Sequence, residues 1–471
     1  MDPLRVFVLI IALSCLTLAA QNPSPGSIPP PKFYRVADVT ASGRNDTVAI
    51  VGATLVDGTG KPPRENTTIL VRGNRIVQVG STNEIKIPPG TQQLPAAGKT
   101  ILPGLIDMHV HLNNGPDLRL FLAAGVTSVR DVGNFTDQVT SLARGTLAND
   151  LVGPRIFYSG ESFAYRGGFS SFQRATRDVS EARTEVRKRI ASGASVIKIV
   201  NDITPDLVEA IVGEAHRAHV PVTADILGNR LVTAERAIAL GVDGLEHVSG
   251  VPQSIAADHS PAEFSEPISM KALFGWLYTD KEKERRLIDT IVAKGTYIVP
   301  TFAVLEVNSG VPRPPDAGKD FVSDSLQALW AAVGRSSRST SSNANSAFLT
   351  HFIYAQQFVG KLVAAGARIV AGTDMPSPGL VPGFSLHREL ELLVQAGLTP
   401  SKAIQAATQM AAQFLGKTSD LGTVEAGKLA DLIIVDGAPH RRISDIRNVQ
   451  IVFKDGRMYD ASKVSRLAKA N

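Results

Sequence analysis

The stretch Ile101-Leu102-Pro103-Gly104-Leu105-Ile106-Asp107-Met108-His109-Val110-His111 decides the fold of this chain. We interpret it as an apolar β-strand that carries two histidines at its end. Side chains alternate between the two faces of a strand, so the two-residue spacing of His109 and His111 puts both imidazoles on one face. The stretch therefore predicts a strand whose end presents two imidazoles to a common site.

From this stretch onward, apolar strands alternate with amphipathic helices, which is typical of repeated βα units and a parallel sheet. Helical spacing of apolar residues is clearest over 181–191, 206–218 and 231–240. The strand candidates are 101–111, 126–132, 155–159, 196–200, 220–225, 244–248, 297–304 and 368–374. Because eight such units can close into a ring, the sequence predicts an α/β fold with a TIM-like (β/α)8 barrel.

Short β-rich runs flank the barrel, at 48–51, 67–71 and 75–79 before it and at 431–435 and 449–453 after it. We expect the two groups to pair, so that the barrel is inserted into a small β-sandwich domain formed by the N- and C-terminal segments. The predicted boundaries are 46–103 for the first part of the β-sandwich, 104–422 for the barrel, and 423–471 for the second part with the C-terminal tail.

The composition of the chain is that of a folded soluble protein. Of its 471 residues, 44% are hydrophobic and 20% are charged, which excludes a mainly disordered or fibrous chain. The net charge is only +5, and the basic residues are interleaved with acids. Because neither a basic stripe nor an aromatic stacking platform is visible, we expect no nucleic-acid partner.

The N-terminus has the pattern of a signal peptide, with an apolar run of about 15 residues over 6–20 that ends in small side chains. A membrane-spanning helix needs roughly 20 apolar residues, so we expect a signal peptide over 1–20, cleavage after Ala20 and a Pro-rich linker over 21–45. The sequence thus predicts export to the periplasm or the cell exterior, without a membrane span. The alternatives are a retained anchor and a lipoprotein attached at Cys15.

Cys15 is the single cysteine, so a mature chain would contain no thiol. Disulfides and thiolate ligands are therefore excluded. Any metal ligand has to come from His, Asp, Glu or a modified Lys.

Two long connections follow barrel strands, over 252–278 and 306–347, and the second contains a Ser-rich stretch over 335–342. Long loops on this side of a barrel are often lids or substrate walls. For the Ser-rich part, a disordered excursion is the alternative.

Four further ionisable residues close strand candidates in the same way as the histidine pair, namely Lys198, Asp225, His247 and Asp374. Active sites of barrels of this kind collect at the C-terminal ends of the strands, where side chains from distant parts of the sequence converge. A lone histidine pair is often structural, but six ionisable residues at equivalent strand ends predict a site.

These features resemble the amidohydrolase superfamily, and within it the imidazolonepropionase-like and Xaa-Pro dipeptidase-like members. The resemblance covers nearly the whole mature chain. Its motifs are the opening stretch, Gly193-Ala194-Ser195-Val196-Ile197-Lys198-Ile199, Gly241-Val242-Asp243-Gly244-Leu245-Glu246-His247, Ala371-Gly372-Thr373-Asp374, Leu386-His387-Arg388-Glu389-Leu390-Glu391-Leu392-Leu393 and Gly422-Thr423-Val424-Glu425-Ala426-Gly427-Lys428-Leu429-Ala430-Asp431-Leu432.

The resemblance implies a centre of one or two divalent metal ions, usually zinc. It implies that His109, His111 and Asp374 hold one ion, and that Lys198, carboxylated by carbon dioxide, bridges to a second ion near His247. A free ammonium cannot bind a cation, whereas a carbamate supplies two anionic oxygens. The alternatives are a Lys198 paired with a neighbouring acid and a His247 hydrogen-bonded in the core. Asp374 is implied to act as base and later as acid on the attacking water.

The sequence departs from the family on the fifth strand, where relatives place a metal-binding histidine and this chain has Asp225. His216 and His219 are near in sequence, but they precede the strand and are expected to face the wrong way. A carboxylate is a competent ligand for zinc. Its added negative charge favours manganese or iron, so the site has either two ions with Asp225 as a ligand or one ion after loss of the second.

The third-strand loop also departs from the family, which often has Gly-Gly-His where this chain has Tyr165-Arg166-Gly167-Gly168. Tyr165 or Arg166 could meet a substrate carboxylate, or both could be loop residues without such a role. The 387–389 segment is interpreted as mainly structural.

The sequence thus predicts an exported metal-dependent hydrolase of C–N bonds in amides, short peptides or cyclic amides, with a possible homo-oligomeric state. The alternatives are a lactone, carbamate or phosphoester hydrolase on the same site, and a degenerate barrel that binds without catalysis.

Overall fold

A computed structural model describes residues 47–112, 117–165, 172–229, 231–258, 270–314, 316–337 and 342–469. The predicted signal peptide, the linker, Cys15 and Arg166 lie outside these residues, as do parts of the two long connections. Within the described part of the chain, no helix combines the length and the apolar character needed to cross a membrane.

The strands are numbered in chain order. They are β1 (Thr47–Leu55), β2 (Arg64–Arg72), β3 (Arg75–Ser81), β4 (Gln92–Pro95), β5 (Lys99–Pro103), β6 (Leu105–Val110), β7 (Val126–Asp131), β8 (Arg155–Tyr158), β9 (Ser162–Ala164), β10 (Gln173–Ala175), β11 (Ile197–Val200), β12 (Val222–Asp225), β13 (Gly244–Glu246), β14 (Tyr297–Val299), β15 (Arg368–Ile369), β16 (Leu432–Asp436), β17 (Val449–Lys454) and β18 (Arg457–Asp460).

The α-helices are numbered in the same way. They are α1 (Leu118–Ala123), α2 (Thr136–Ala148), α3 (Val179–Ala191), α4 (Pro205–Arg217), α5 (Ala234–Ala239), α6 (Val251–Ile255), α7 (Lys281–Lys294), α8 (Phe302–Ser309), α9 (Asp324–Ser337), α10 (Ser342–Ala364), α11 (Phe384–Gln395), α12 (Pro400–Ala406), α13 (Gln409–Phe414) and α14 (Ala461–Lys469). Short 3₁₀ helices cover Met270–Tyr278, Lys319–Phe321 and Ile443–Arg447.

The small β-domain is built from both ends of the described chain. Its strands form one hydrogen-bonded sheet in the order β18-β17-β16-β5-β1-β2-β3, with β4 paired to β1. The two ends of the sheet come together, where the backbone of Gly456 after β17 packs against Gly73 after β2. Apolar side chains from both halves, such as Ile69 and Leu432, share one core. The prediction that the N- and C-terminal segments form a common β-domain around an inserted barrel is confirmed.

The barrel strands run parallel in two ladders, β6-β7-β8 and β11-β12-β13-β14-β15, with β9 and β10 beside β11. Backbone hydrogen bonds close the ring between the ladders. The Met108 N–H donates to the Ala371 carbonyl at 2.9 Å, and the Ser195 N–H donates to the Tyr158 carbonyl at 2.9 Å. Every residue of β6, β7 and β11 is buried, as expected for parallel strands covered by helices. The predicted (β/α)8 barrel is therefore confirmed.

Several predicted strands are longer than the observed ones, since the 368–374 candidate shortens to β15 (Arg368–Ile369) and the 244–248 candidate ends at Glu246. Two others differ in a further way. The 101–111 stretch divides at Gly104 into β5, which belongs to the β-domain, and β6, which belongs to the barrel. The break requires glycine, because a Cβ on Gly104 would lie 2.2 Å from Thr127. The predicted 297–304 strand ends at Val299, since Thr301 turns the backbone at φ 51° and α8 begins at Phe302. Apolar runs do not distinguish a buried strand from a buried helix.

The described parts of the two long connections are largely helical. The first contains α6 and the 3₁₀ helix Met270–Tyr278, and the second contains the end of α8, α9 and the start of α10. Two helical segments of these connections are used below and are called the two excursions. The first excursion is 270–278, at the end of the first connection, and the second is 342–364, which is helix α10 and begins in the second connection. Helix α10 packs against the 3₁₀ helix of the first excursion, where Trp276 and Tyr354 stack with ring centroids 6.3 Å apart. The role of these segments as a lid stays a prediction.

Candidate metal centre

The six ionisable residues singled out in the sequence converge at one end of the barrel. Ligand atoms of His109, His247 and Asp374 all lie within 4.8 Å of one another. Asp374 Oδ1 is 3.4 Å from Nε2 of His109 and 3.3 Å from Nε2 of His111. On the other side of the centre, Asp225 Oδ2 is 3.6 Å from Nε2 of His247.

The three histidines are oriented in the same way, because each uses Nδ1 for a hydrogen bond to oxygen. The partners are Glu246 Oε2 for His109 at 2.8 Å, the Gly133 carbonyl for His111 at 2.8 Å, and Thr301 Oγ1 for His247 at 2.6 Å. Carboxylates and carbonyls only accept hydrogen bonds. The Thr301 hydroxyl donates to the Pro300 carbonyl at 2.7 Å, so it also accepts from His247.

This orientation leaves the Nε2 lone pair of each neutral ring directed at a carboxylate. Nitrogen and oxygen acceptors that face each other at 3.3–3.6 Å attract a positive charge between them, which is either a proton on the imidazole or a metal ion. Two ligand atoms about 2.1 Å from one tetrahedral zinc ion would lie about 3.4 Å apart. The donor set and its spacing therefore fit a divalent metal ion in the group of His109, His247 and Asp374, with His111 beside Asp374 and Asp225 beside His247 as further donors.

Glu246 is a residue of this site that the sequence reasoning missed. Its carboxylate is fully buried and accepts from Nδ1 of His109, from the Arg130 guanidinium at 2.6 Å and from the Thr223 hydroxyl. Strand alternation predicts that Glu246 and His247 face opposite ways. They share the site because His247 adopts φ 59° and ends the alternation. The signal available in the sequence was an acid inside an otherwise apolar strand.

Asp107 and Asp131 were also missed, and they brace the backbone around the first two histidines. Asp107 accepts from the Thr373 hydroxyl at 2.7 Å and so ties the residue before Asp374 to β6. Asp131 accepts from the Leu112 N–H at 2.8 Å. Burial raises the pKa of Asp107 to about 7. Burial also raises the pKa of Asp131. These two carboxyls therefore fix the backbone geometry around the histidine pair.

The electrostatics of the site favour neutral imidazole at His109 and ionised carboxylates, whereas at His111 burial is outweighed by Asp374 and Asp131, which raise the pKa of that imidazole. Burial lowers the pKa of His109 well below its usual range. Burial alone would raise the pKa of Asp374, but His109 and His111 hold it well below its usual range. Burial likewise opposes the ionisation of Glu246, yet Arg130 and the neighbouring bases keep its pKa low. Apart from the raised pKa of His111, these are the protonation states in which such side chains bind metal.

Lys198 lies on β11 and is only 2% exposed. Burial lowers its pKa, while the charges of Glu246, Asp225 and Asp374 act in the opposite direction. Among the described residues, no carboxylate lies within 4.0 Å of its amine. A direct ion pair of Lys198 with a neighbouring acid, the alternative considered from the sequence, is therefore not observed in the described part of the chain.

Other residues considered from the sequence lie outside the centre. His216 bonds to Asp243 at 2.8 Å, and Asp243 precedes β13, so His216 faces the opposite end of the barrel as expected. Tyr165 donates its backbone N–H to the Asp202 carbonyl at 2.6 Å. Phe172 stacks on His111 with ring centroids 5.5 Å apart. Sequence reasoning had not singled out this aromatic contact.

The 387–389 segment makes packing and backbone contacts. His387 Nε2 is 2.8 Å from the Ala124 carbonyl, and Arg388 pairs with Glu306 at 2.6 Å. Glu389 accepts the Ala303 N–H at 2.7 Å. These contacts are what a structural role requires.

The fold and the strand-end site define a (β/α)8-barrel hydrolase class, and comparison with known proteins agrees. The sequence profile of the amidohydrolase family matches residues 100–459. The imidazolonepropionase of Symbiobacterium thermophilum is 25% identical over 426 residues, which cover 84% of this chain and 91% of that protein.

Solved structures extend the similarity to the three-dimensional fold. A putative prolidase from Bifidobacterium longum has a TM-score of 0.68 at 25% identity and covers 88% of this chain and 95% of that one. A Xaa-Pro dipeptidase with bound methionine in the active site has a TM-score of 0.67 at 24% identity, with 88% and 100% covered. The chain therefore belongs to the amidohydrolase family and is a hydrolytic enzyme.

Proposed function

We propose that this protein is an exported metal-dependent hydrolase that cleaves C–N bonds of small amides, short peptides or cyclic amides. The observation that carries the proposal is the orientation of the three histidines, each with Nδ1 hydrogen-bonded and Nε2 directed at Asp374 or Asp225. The similarity to an imidazolonepropionase and to prolidase structures supports the C–N bond as the target.

In this proposal, His109, His111 and Asp374 hold the first divalent ion, and His247 and Asp225 hold the second. Bound divalent metal supplies Lewis acidity, which polarises a scissile carbonyl and lowers the pKa of water towards about 7. Zinc is our preferred ion because the donors are mainly imidazole, while Asp225 makes manganese or iron competitive.

Asp374 is the proposed catalytic residue. Its carboxylate stays ionised at neutral pH because His109 and His111 hold its pKa low. It can therefore accept a proton from the attacking water and return that proton to the leaving amine nitrogen. The Asp374 N–H donates to the His109 carbonyl at 2.8 Å, which holds the carboxylate beside the histidine pair during both transfers.

Lys198 is proposed to be carboxylated, and its carbamate would supply two anionic oxygens to the metal centre. A carbamate forms when a neutral amine attacks carbon dioxide, and burial lowers the pKa of Lys198 in the direction that favours the neutral amine. Growth or reconstitution with ¹³C-labelled bicarbonate should give one carbamate carbon signal in the NMR spectrum. Lys198→Arg should remove that signal, and a wild-type protein without it would overturn the carbamate.

The activity is tested by reconstituting the apo-protein with Zn²⁺, Mn²⁺ or Fe²⁺ and screening dipeptides, N-acyl amino acids and cyclic amides for hydrolysis. Lactones, carbamates and phosphoesters belong in the same screen, because the same water activation serves them. We expect one or two equivalents of bound metal and hydrolysis of at least one C–N substrate. A protein that binds no divalent metal at any supplied concentration would overturn the proposal and leave a non-catalytic barrel.

Export rests on the signal-peptide pattern at 1–20 and is tested separately. Expression of the full chain in a bacterial host should yield a periplasmic protein whose N-terminal sequence begins at Gln21. A product that retains Met1 in the cytoplasm would overturn export. The homo-oligomeric state stays a prediction that sedimentation of the purified protein can test.

A further inference from the structure

His247 holds an unusual backbone conformation at the point where β13 ends. Its φ is 59°, and φ of the next residue, Val248, is 54°. Left-handed backbone is unfavourable for residues other than glycine, and most of all for β-branched ones. Surrounding contacts must therefore hold this turn, because the backbone does not prefer it.

One such contact comes from α10, which is about a hundred residues away in sequence. His351 is buried, and its Nε2 lies 2.8 Å from the carbonyl oxygen of His247. The other ring nitrogen, Nδ1, accepts the indole N–H of Trp276 at 2.9 Å. An indole N–H only donates and a carbonyl only accepts, so His351 must be neutral with its hydrogen on Nε2. Both ring nitrogens are satisfied in this single state.

The two residues belong to the two excursions. Trp276 lies in the 3₁₀ helix between β13 and β14, and His351 lies in α10 before β15. The indole also packs on Phe358 of α10, with ring centroids 5.7 Å apart. The excursions therefore meet each other where the second one contacts the backbone of His247.

The ring and the backbone of His247 are thus held by different residues. Thr301 fixes the imidazole through Nδ1, and His351 fixes the carbonyl. We propose that His351 and Trp276 are positioning residues for the second cation, which they serve by holding His247 toward Asp225. The affinity for that cation then depends on how the two excursions are packed. This inference rests on the proposed function, since it takes the second cation to be bound by His247 and Asp225.

The test measures Zn²⁺ binding to the full chain by calorimetry and by metal analysis after dialysis. For His351→Leu, which removes the donor to the carbonyl, we expect one of two bound Zn²⁺ ions to bind about 10- to 100-fold more weakly, the usual effect of losing a group that orients a ligand. The other ion should bind as in the wild type. His351→Gln keeps an N–H donor and should recover most of the affinity.

Trp276→Phe is the milder variant, because it keeps an aromatic ring and removes only the N–H donor to His351. We expect it to weaken the same ion several-fold. If His351→Leu does not fold, Trp276→Phe decides the question, and wild-type affinity for both ions in Trp276→Phe would overturn the proposal.

His387→Leu is the matched control. His387 is buried, and its Nε2 lies 2.8 Å from a backbone carbonyl, that of Ala124, just as His351 lies from His247. Its loss should lower thermal stability and leave both Zn²⁺ affinities unchanged. If His351→Leu keeps both affinities, or if His387→Leu loses the same ion, the positioning role is wrong.

Amide hydrogen exchange of the metal-free protein separates this proposal from the proposed function. Residues 247–250 should exchange faster in His351→Leu than in His387→Leu, whether or not metal binds. Equal exchange in the two variants overturns the positioning role. A wild type that binds no Zn²⁺ overturns the proposed function while the exchange comparison still stands.

Discussion

The two halves of the candidate centre are held in different ways. In the first half, His109, His111 and Asp374 are braced by Glu246, Asp107 and Asp131, which all lie on barrel strands. In the second half, His247 is braced by Thr301 and His351, which lie at the start of α8 and on the second excursion. The barrel itself therefore fixes the first half, while the second depends on segments that a barrel does not require.

Asp374→Asn tests the first half of the centre most directly, and we expect it to cause the largest loss of activity. Asparagine keeps the shape and the backbone hydrogen bond, but it lacks the charge that binds metal and takes up a proton. Loss of a general base alone lowers the rate about 10²- to 10⁴-fold, and weakened metal binding adds to this. The measurement is kcat at saturating metal, together with metal content.

Asp289→Asn is the control for Asp374→Asn, because Asp289 has a 62% exposed side chain on α7 and pairs with the surface residue Arg285. It should have wild-type activity. Activity within about 10-fold of wild type in Asp374→Asn would remove this residue from the proton transfer.

Glu246→Gln should have the next largest effect. We expect this effect on metal binding by the first half of the centre. The substitution removes the carboxylate that sets the His109 tautomer and leaves the fully buried Arg130 without its charged partner. We expect metal affinity to fall about 10- to 100-fold. The free energy of unfolding should fall by about 3–5 kcal/mol, the usual effect of breaking a buried ion pair. Calorimetry and urea denaturation measure the two quantities.

An exposed acid provides the contrast. Glu282 has a 59% exposed side chain and pairs with Arg285 on α7, so Glu282→Gln should leave the free energy of unfolding close to that of the wild type and metal binding intact. If both variants lose similar stability and Glu246→Gln keeps wild-type metal affinity, Glu246 does not orient His109.

The difference between the halves also explains what the sequence could predict. The barrel and the strand-end ligands follow from local rules, namely alternation in β6 and the convergence of parallel strand ends. Glu246 escaped the same rules because His247 leaves the strand conformation, which places neighbouring side chains in one site. His351 and Trp276 carry no local pattern, since their importance arises only from tertiary packing.

Strand limits were predicted less well than strand existence. The backbone after Val299 turns at Thr301 into α8, although the apolar run continues, because propensity does not encode the left-handed turn. That turn is functional in our proposal, since Thr301 orients His247. The second half of the centre thus contains the features that sequence patterns predict least.

Asp225→His tests whether the second half binds a cation and whether the Asp225 carboxylate sets its metal preference. Replacing the oxygen donor by imidazole removes a negative charge and should shift the second ion's preference from Mn²⁺ toward Zn²⁺, with a several-fold change in rate. The ion held by His109, His111 and Asp374 should bind as before. Competition between the two metals, followed by metal analysis, measures the shift. Unchanged metal preference and count would place Asp225 outside the centre.

Glu389→Gln should have the smallest effect on the centre, because we expect Glu389 to act on the second half only by supporting the start of α8. Glu389 accepts the Ala303 N–H at the start of α8, next to Thr301, and burial raises its pKa from 4.5 to about 8. Between pH 4.5 and about 8, the folded protein therefore keeps a proton on Glu389 that the unfolded protein has lost. This contribution to stability is complete below pH 4.5 and is lost as pH rises toward about 8. The slope is at most about 1.4 kcal/mol per pH unit for one proton.

Because glutamine does not titrate, Glu389→Gln should flatten this part of the stability curve, which urea denaturation at a series of pH values measures. Glu391 on the same helix is the control of opposite sign. Burial opposes its ionisation, but Arg447 and Arg388 lower its pKa below 4.5, so its contribution is present above that pH and is lost on acidification. Glu391→Gln should shift the curve down without changing its slope between pH 4.5 and about 8. Equal slopes in wild type and Glu389→Gln would mean that Glu389 is ionised in the folded protein, and that the start of α8 beside His247 is held by a charge.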